Sequence, residues 1–293
     1  MLRWRLLIGC GLIAGLAGLV VLDHRSSLPG AWLFPLAVAL SLLAGGELLE
    51  LLARAGSRPP AWLVQVGILA VVLSFYVPWA CRRGATADDA RAWPPAVLLL
   101  ASGALVVAEM RRYGQPPPAA AANLFGGTFA LVYVGVGMGM LVHLRVAFGL
   151  GALVALVLVV KLGDIGAYTA GRLLGRRKLA PQISPGKTIE GFLGQVVVCT
   201  AGSLAAFAWL VAWLDPRCAA AMPWAMRLGF GPAMAVVGLV GDLGESLLKR
   251  EAGVKDSSRW LPGFGGVLDL LDSLLLCAPA GWVFWWLACS GGE

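Results

Sequence analysis

Charged residues are scarce in this chain of 293 residues: Asp, Glu, Lys and Arg make up only 13% of it, whereas 59% is hydrophobic. Soluble domains carry about 25% charged residues, so this scarcity excludes an ordinary water-soluble protein. A helix that crosses a bilayer needs about 20 apolar residues. Nine such runs are present, at 5–22, 31–53, 61–80, 93–110, 124–144, 149–168, 189–214, 224–248 and 266–288. The sequence therefore predicts an all-α, polytopic integral membrane protein with about nine transmembrane helices.

Metal-binding cysteine spacings are also missing. The chain has 6 cysteines and 2 histidines, and no two cysteines stand in a CxxC or comparable arrangement. Most of the cysteines fall in or beside the predicted spans, where they are expected to serve as small apolar residues. The sequence supports neither a zinc site nor a disulfide framework.

The segment PQISPGKTIEG at 181–191 contains GKT but lacks a Walker A loop. Such a loop requires a glycine five positions before the glycine of GKT. That position is Pro181, which has a fixed φ and no N–H to offer a phosphate. A P-loop is therefore not expected, and SPGKT needs another explanation.

The net charge of +7 is explained by membrane topology, and no nucleic-acid partner is expected. If the N-terminus is inside, the inside segments hold about twice as many Lys and Arg residues as the outside ones, as cytoplasmic loops do. We therefore expect a multi-pass protein of the cell inner (cytoplasmic) membrane with its N-terminus in the cytoplasm. The two most basic loops follow the sixth and eighth spans, where they could also gather an anionic substrate.

The two halves of the chain differ in the chemistry they carry. Residues 1–122 are predicted to form hydrophobic helices with few diagnostic residues, whereas residues 123–293 are predicted to form a catalytic membrane region. In the first half, Glu47 and Glu50 lie one helical turn apart near the end of the second span. They could line a cavity, but we expect them to reach headgroup water.

Acidic residues in the second half cluster at the ends of spans, and ionisable groups in hydrocarbon by default mark a functional site. The clusters are Lys161 with Asp164, then Asp242, Glu245, Ser246 and Lys249, and finally Asp269 with Asp272. Spacings of three, four and seven residues put each set on one helix face. Converging carboxylates repel unless cations or protons neutralise them, and oxygen ligands beside phosphates suit Mg²⁺. The residues alone favour such a metal site over intramembrane salt bridges such as Asp242–Lys249 or Asp269–Arg250.

Basic loops supply the complementary charge. The residues are Arg172, Arg176, Arg177, Lys178 and Lys187 after the sixth span, and Lys249, Arg250, Lys255 and Arg259 after the eighth. Together with a divalent cation, such groups are expected to clamp a polyphosphate.

Two stretches resemble a known family. From Ser246, SLLKREAGVKDSSRWLPGFGGVLDLLDS closely resembles the signature of the phosphatidate cytidylyltransferase family, the CDP-diacylglycerol synthases. That signature runs Ser, x, apolar, Lys, Arg, four residues, Lys, Asp, then Pro-Gly-His-Gly-Gly and Asp-Arg-x-Asp. GDIGAYTAGRLLGRRKLAPQISPGKTIEGFLG is similar to the family's other well-marked stretch, in the family's order and at its spacing.

The resemblance implies an all-helical membrane enzyme, commonly a homodimer, which converts CTP and phosphatidate into CDP-diacylglycerol and pyrophosphate at the lipid bilayer. It implies a metal centre of Mg²⁺, with room for a second, monovalent cation, held by Asp242, Asp269 and Asp272. Ser246 and Lys249 would act with Asp269 in catalysis. The implied substrate-binding residues are Asp164, Ser184, Lys187, Arg250, Lys255 and Asp256.

Two positions depart from the signature, since Phe264 takes the place of its histidine and Leu270 that of its arginine. Either Arg259 or another loop arginine replaces the lost charge, which we favour, or activity is reduced or redirected. Other classes stay open. A CTP-dependent polyprenol or phytol kinase would release CDP instead of pyrophosphate, a transporter could house midplane acids, and a scaffold would bind no CTP.

Overall fold

The computed structural model describes residues 2–81, 87–114, 119–258 and 265–290, and nearly all of them are helical. The helices are α1 (Leu2–Arg25), α2 (Leu33–Arg54), α3 (Ala61–Ala80), α4 (Ala87–Arg112), α5 (Ala120–Ala130), α6 (Gly137–Phe148), α7 (Leu150–Leu174), α8 (Ile189–Ala205), α9 (Val211–Leu214), α10 (Pro216–Ala221), α11 (Trp224–Glu251) and α12 (Val267–Ser290). Two π-helical segments, Leu131–Val136 and Ala206–Leu210, continue α5 into α6 and α8 into α9. The predicted all-α class is confirmed.

Eight segments of the described residues are long and apolar enough to cross a membrane. They are Leu33–Arg54, Ala61–Ala80, Ala92–Arg112, Ala120–Phe148, Leu150–Leu174, Ile189–Leu214, Trp224–Glu251 and Val267–Cys289. These segments match the second to ninth predicted runs to within a few residues, so a multi-pass membrane protein is confirmed. The first predicted run falls in α1, where the side chains of residues 2–8 are not described, and its span stays a prediction.

The chain forms two compact units. The first unit contains Met1–His143 and Leu248–Leu271, and the second contains Leu144–Leu247 and Asp272–Glu293. The motifs of the second half are therefore divided between the units. The predicted boundary between residues 122 and 123 concerns where the motifs begin, and it stays a prediction.

The core of the first unit lies where α2 and α3 meet the π-helical segment after α5. Leu48, Ile68, Val71, Leu131 and Val134 are fully buried there. Because lipid tails are as apolar as leucine, close packing between helices stabilises such a core more than the exclusion of water does.

Glycines hold the second unit together by letting α7 and α8 approach closely. A Cβ added to Gly166 would lie 2.7 Å from Val198 Cβ, and one added to Gly194 would lie 2.9 Å from the carbonyl oxygen of Gly166. Small residues at such contacts are typical of membrane helices.

A short antiparallel hairpin connects α7 to α8. Its strands are β1 (Lys178–Ala180) and β2 (Ser184–Thr188), with Lys178 paired to Thr188 and Ala180 to Ser184. The Thr188 hydroxyl oxygen accepts a hydrogen bond from Gly191 N at 3.1 Å, so Thr188 caps the N-terminus of α8. SPGKT is thus a β-strand that leads into a helix.

Candidate active site

In the first unit, the carboxylate of Asp269 is held by four donors. Its Oδ1 lies 2.5 Å from Lys249 Nζ, while its Oδ2 accepts from Ser257 N at 2.9 Å, Ser257 Oγ at 2.7 Å and Gly266 N at 2.7 Å. Lys249 lies in the last turn of α11 and Asp269 in the first turn of α12. A cation at a helix C-terminus and an anion at an N-terminus are both stabilised by the helix dipole. Lys249 and Asp269 therefore each lie at the helix end that stabilises their charge.

Two glycines of the signature make room for this arrangement. Gly265 has a φ of +86°, and a Cβ there would lie 2.5 Å from Asp269 Oδ2. A Cβ on Gly266 would collide with Ser257 Oγ and with Glu47 Oε2. Phe264, which replaces the signature histidine, lies outside the described residues, as does Arg259. Leu270, which replaces the signature arginine, is half-buried.

The expectation that Glu47 reaches headgroup water is wrong. Its side chain is buried, and its carboxylate accepts from Ser257 Oγ at 2.8 Å, Ser258 Oγ at 2.7 Å, Val267 N at 3.0 Å and Leu268 N at 2.8 Å. The unsatisfied amides at the start of α12 need an acceptor, and a carboxylate from α2 provides it.

Sequence reasoning missed Glu47, Ser257 and Ser258 as site residues. The signal was an acid placed inside a predicted span, which by default marks a functional group or a buried partner. Glu50, one turn further along α2, is exposed, so the two acids that the sequence paired lie in different environments.

In the second unit, the strand that carries SPGKT meets the helix that carries GDLGES. Lys187 Nζ lies 2.7 Å from Asp242 Oδ2, and Ser246 Oγ donates to Asp242 Oδ1 at 3.4 Å. Asp242 thus pairs with Lys187, and Asp269 pairs with Lys249. Neither matches the salt bridges that the sequence offered as examples.

Asp272 is buried close to other charges of the second unit. Asp242, Lys161 and Asp164 all lie within electrostatic reach of its carboxylate. Lys161 Nζ is 3.1 Å from Asp164 Oδ2. A Cβ on Gly241 would lie 2.6 Å from the carbonyl oxygen of Asp272, so this glycine allows α11 and α12 to come together beside the acids.

This donor set fits Mg²⁺ with two protein carboxylates. Within the described ranges, no group of three or more His, Cys, Asp or Glu residues is arranged to hold a metal ion. Mg²⁺, however, usually takes one or two carboxylates and completes its shell with water and substrate oxygens. Asp242 and Asp272 are two carboxylates within electrostatic reach of each other, in a cluster where acids outnumber lysines.

The turn between α7 and β1 presents cations to solvent. Arg176, Arg177 and Lys178 are exposed. The Glu190 carboxylate accepts from Arg176 N at 3.0 Å and from Arg177 N at 3.2 Å. Sequence analysis did not single out Glu190, which fixes the backbone of this turn from the first turn of α8.

The remaining predicted substrate residues differ in exposure. Ser184 on β2 is half-buried, whereas Arg250, Lys255 and Asp256 are exposed in the first unit. The structure thus brings Lys187, Ser246 and Asp242 together, places Asp272 within reach of Asp242, and joins Lys249 to Asp269.

Comparisons with known proteins agree with these motifs. The cytidylyltransferase family matches residues 3–288. Among similar proteins, the phosphatidate cytidylyltransferase of Bacillus subtilis is 40% identical over 154 residues, which is 52% of this chain and 54% of that protein. The phosphatidate cytidylyltransferase of Staphylococcus saprophyticus is 41% identical over 150 residues, 51% and 54% of the two chains. That of Pseudomonas aeruginosa is 40% identical over 164 residues, 52% and 57% of the two chains. The matched part of the chain therefore spans about half the length of these curated relatives.

Proposed function

The chain belongs to the cytidylyltransferase family, and on that premise we propose that it transfers the cytidylyl group of CTP to phosphatidate. The products would be CDP-diacylglycerol, for phospholipid biosynthesis, and pyrophosphate. The observation that best supports this proposal is the contact of 2.7 Å between Lys187 and Asp242. It places a cation suited to phosphate oxygens directly beside a carboxylate suited to a metal.

The proposed reaction joins two anions. An oxygen of the lipid phosphate attacks the α-phosphorus of CTP, the new P–O bond forms as the bond to the β-phosphate oxygen breaks, and pyrophosphate leaves with that electron pair. The lipid phosphate is already anionic near neutral pH, so no strong general base is required. The protein must align the two anions and stabilise the charge that develops on the leaving group.

Cations of the second unit suit this requirement. In the second unit, Lys187 on β2 and the exposed Arg176, Arg177 and Lys178 would bind the phosphates of CTP, with the Ser184 hydroxyl as a further donor. Lys249, which belongs to the first unit and is paired with Asp269, is proposed as a catalytic residue on the evidence of the resemblance alone. The exposed residues Arg250, Lys255 and Asp256 are proposed to contact substrate on the evidence of the resemblance alone.

We propose that Asp242 and Asp272 hold Mg²⁺, with Ser246 and Asp164 beside them. When bound, the ion would neutralise phosphate charge and polarise the α-phosphorus. A metal role for Asp269 is implied by the resemblance alone. Its present donors, Lys249, Ser257 and Gly266, favour a role in orienting Lys249. The second, monovalent cation rests on the resemblance.

The membrane location and the oligomeric state of the protein are also proposals. We place the protein in the inner membrane, with the N-terminus and the loops after α7 and α11 in the cytoplasm, because those loops carry many of the cations. A homodimer is proposed from the resemblance. Reporter fusions at Ser26 and Arg176 would give opposite signals if the topology is right.

The assay uses purified protein in phosphatidate micelles with α-labelled CTP and Mg²⁺. Label should enter the lipid together with an equimolar amount of pyrophosphate. Asp242→Asn should lower the rate by at least about 100-fold, because it removes both a metal ligand and the partner of Lys187. Glu50→Gln, which changes an exposed acid of α2, is the matched control and should keep the rate.

Two results would contradict the proposal. Labelled CDP without labelled lipid would indicate γ-phosphoryl transfer, and hence a lipid kinase. Absence of turnover by the wild-type protein would indicate that Phe264 and Leu270 mark a member of the family that has lost the chemistry.

A further inference from the structure

The first half of the chain supplies a buried carboxylate to the Ser257–Ser258 turn and to the start of α12. Glu47 belongs to α2, and its hydrogen-bond partners Val267 and Leu268 lie 220 and 221 residues later. All of these residues belong to the first unit. None of the signature motifs includes Glu47, so the motifs alone do not account for it.

Glu47 satisfies backbone groups that would otherwise lack an acceptor. The first four N–H groups of a helix have no partner within that helix. Glu47 Oε1 accepts from Val267 N at 3.0 Å and Oε2 from Leu268 N at 2.8 Å, which are the first two residues of α12. A carboxylate at this position is also stabilised by the positive end of the helix dipole. Glu47 therefore caps α12 from another helix.

Ser257 links Glu47 to Asp269. The Ser257 hydroxyl oxygen lies 2.8 Å from Glu47 Oε2 and 2.7 Å from Asp269 Oδ2. A hydroxyl has a single proton to donate, so it serves one of these carboxylate oxygens at a time. The backbone N–H groups of Ser257 and Gly266 also bind Asp269. The position of the Asp269 carboxylate thus depends on a turn that Glu47 holds from the other side.

Glu47 and Ser257 are tightly packed against Gly266. A Cβ on Gly266 would overlap both Ser257 Oγ and Glu47 Oε2. Ser258 Oγ adds a fourth donor to Glu47, at 2.7 Å. Each oxygen of Glu47 therefore lies within hydrogen-bond distance of one hydroxyl and one backbone amide, an arrangement that suits a carboxylate and does not suit an amide side chain.

We propose that Glu47 is a positioning residue for the cytidylyl-transfer site. Its carboxylate fixes the Ser257–Ser258 turn and the first turn of α12, and thereby keeps Asp269 Oδ1 against Lys249. Glu47 touches no substrate in this scheme and acts only through Asp269. The effect on turnover rests on the proposed function, whereas the effect on the Ser257–Ser258 turn and on the first turn of α12 does not.

Glu47→Gln tests the proposal because it keeps the size of the side chain but turns one acceptor into a donor that faces a hydroxyl and an amide. Misplacement of a reacting group by about 1 Å costs on the order of 100-fold in rate. We expect kcat to fall about 10- to 100-fold, with KM for CTP within about threefold, since the cations of the hairpin are unchanged. Glu47→Asp keeps the acceptors and should recover at least about threefold of the lost kcat.

Hydrogen–deuterium exchange gives a readout that needs no turnover. In Glu47→Gln, the amides of Gly266 to Asp269 should exchange faster, while amides in the middle of α7 keep the wild-type rate. Ser258→Ala should produce a smaller change at the same amides. Glu50→Gln, one turn along α2, should alter neither exchange nor kcat.

Unchanged exchange at the start of α12 in Glu47→Gln would overturn the proposal, as would a rise in KM with unchanged kcat. If Glu47→Gln fails to fold, Ser257→Ala decides, because the proposal requires faster exchange at Gly266 to Asp269 in that variant too. A wild-type protein without cytidylyl transfer would count against the proposed function, and the exchange pattern would still decide the role of Glu47.

Discussion

Asp269→Asn should destabilise the protein strongly, because Lys249 and Asp269 form a nearly buried ion pair. Their side chains are 13% and 12% exposed, and Nζ lies 2.5 Å from Oδ1. Removing one partner of a buried pair costs about 3–5 kcal/mol, since the remaining charge is left without compensation. The slight exposure places Asp269→Asn near the lower end, at about 3 kcal/mol.

Lys249→Met should lower the free energy of unfolding by less than Asp269→Asn does, by about 2 kcal/mol. The reason is that Asp269 keeps the three hydrogen bonds from Ser257 and Gly266. In the double variant neither charge remains uncompensated. We therefore expect its loss to be smaller than the sum of the single losses by about 2 kcal/mol, the coupling expected of a close pair.

Thermal unfolding in detergent measures these losses. A change of 1 kcal/mol shifts Tm by about 2–4 °C in proteins of 150–250 residues, so Asp269→Asn should lower Tm by about 6 °C or more. A shift below about 1 °C, or a double variant whose loss equals the sum of the single losses, would refute the assignment of a coupled buried pair.

Two further tests use substitutions in the signature stretch that begins at Ser246. Gly265→Ala should lower the free energy of unfolding more than Gly253→Ala does. Both glycines have a positive φ, +86° and +68°. Only at Gly265 would the new Cβ also collide with a carboxylate, since a Cβ at Gly253 would have no atom within 4 Å. Strain alone costs about 1–2 kcal/mol, and equal Tm losses would contradict the crowding. Restoring the signature with Phe264→His and Leu270→Arg should leave the cytidylyl-transfer rate within about tenfold, near 1.4 kcal/mol in barrier; a much larger gain would show that these residues impair the chemistry.

The membrane helices could be predicted from the sequence because lipid offers no hydrogen-bond partners. A chain in hydrocarbon must satisfy its backbone internally, so each long apolar run indicates both a helix and its length. The hairpin at residues 178–188 carries no such signal. Its strands are only three and five residues long, and their pairing depends on the two helices that the hairpin connects.

Charge partners were harder to predict than charged positions. Residue spacing placed Asp242 on the same helix face as Lys249. The ion pair of Asp242, however, is with Lys187 of the hairpin. Glu47 was misassigned for the same reason. Distance along a helix can be read from residue spacing, whereas a contact across 210 residues or more, such as that with Ser257, depends on which helices are neighbours.

Asp269 and Asp272 lie three residues apart on α12, yet their carboxylates have different surroundings. Asp269 is already compensated by an ammonium and three neutral donors, so a cation would add little to its stability. Asp272 lies within electrostatic reach of two further carboxylates, Asp242 and Asp164, and of one cation, Lys161. The carboxylates outnumber the cation, so a divalent ion there would relieve repulsion.

Asp272→Asn should therefore raise the Mg²⁺ concentration for half-maximal cytidylyl transfer by about tenfold, the loss of one charged ligand, with little change in Tm. Asp269→Asn should lower Tm and kcat but leave the Mg²⁺ dependence within about threefold. A titration in which Asp269→Asn shifts the Mg²⁺ requirement more than Asp272→Asn does would reverse the assignment, and would make Asp269 the principal ligand despite its bond to Lys249.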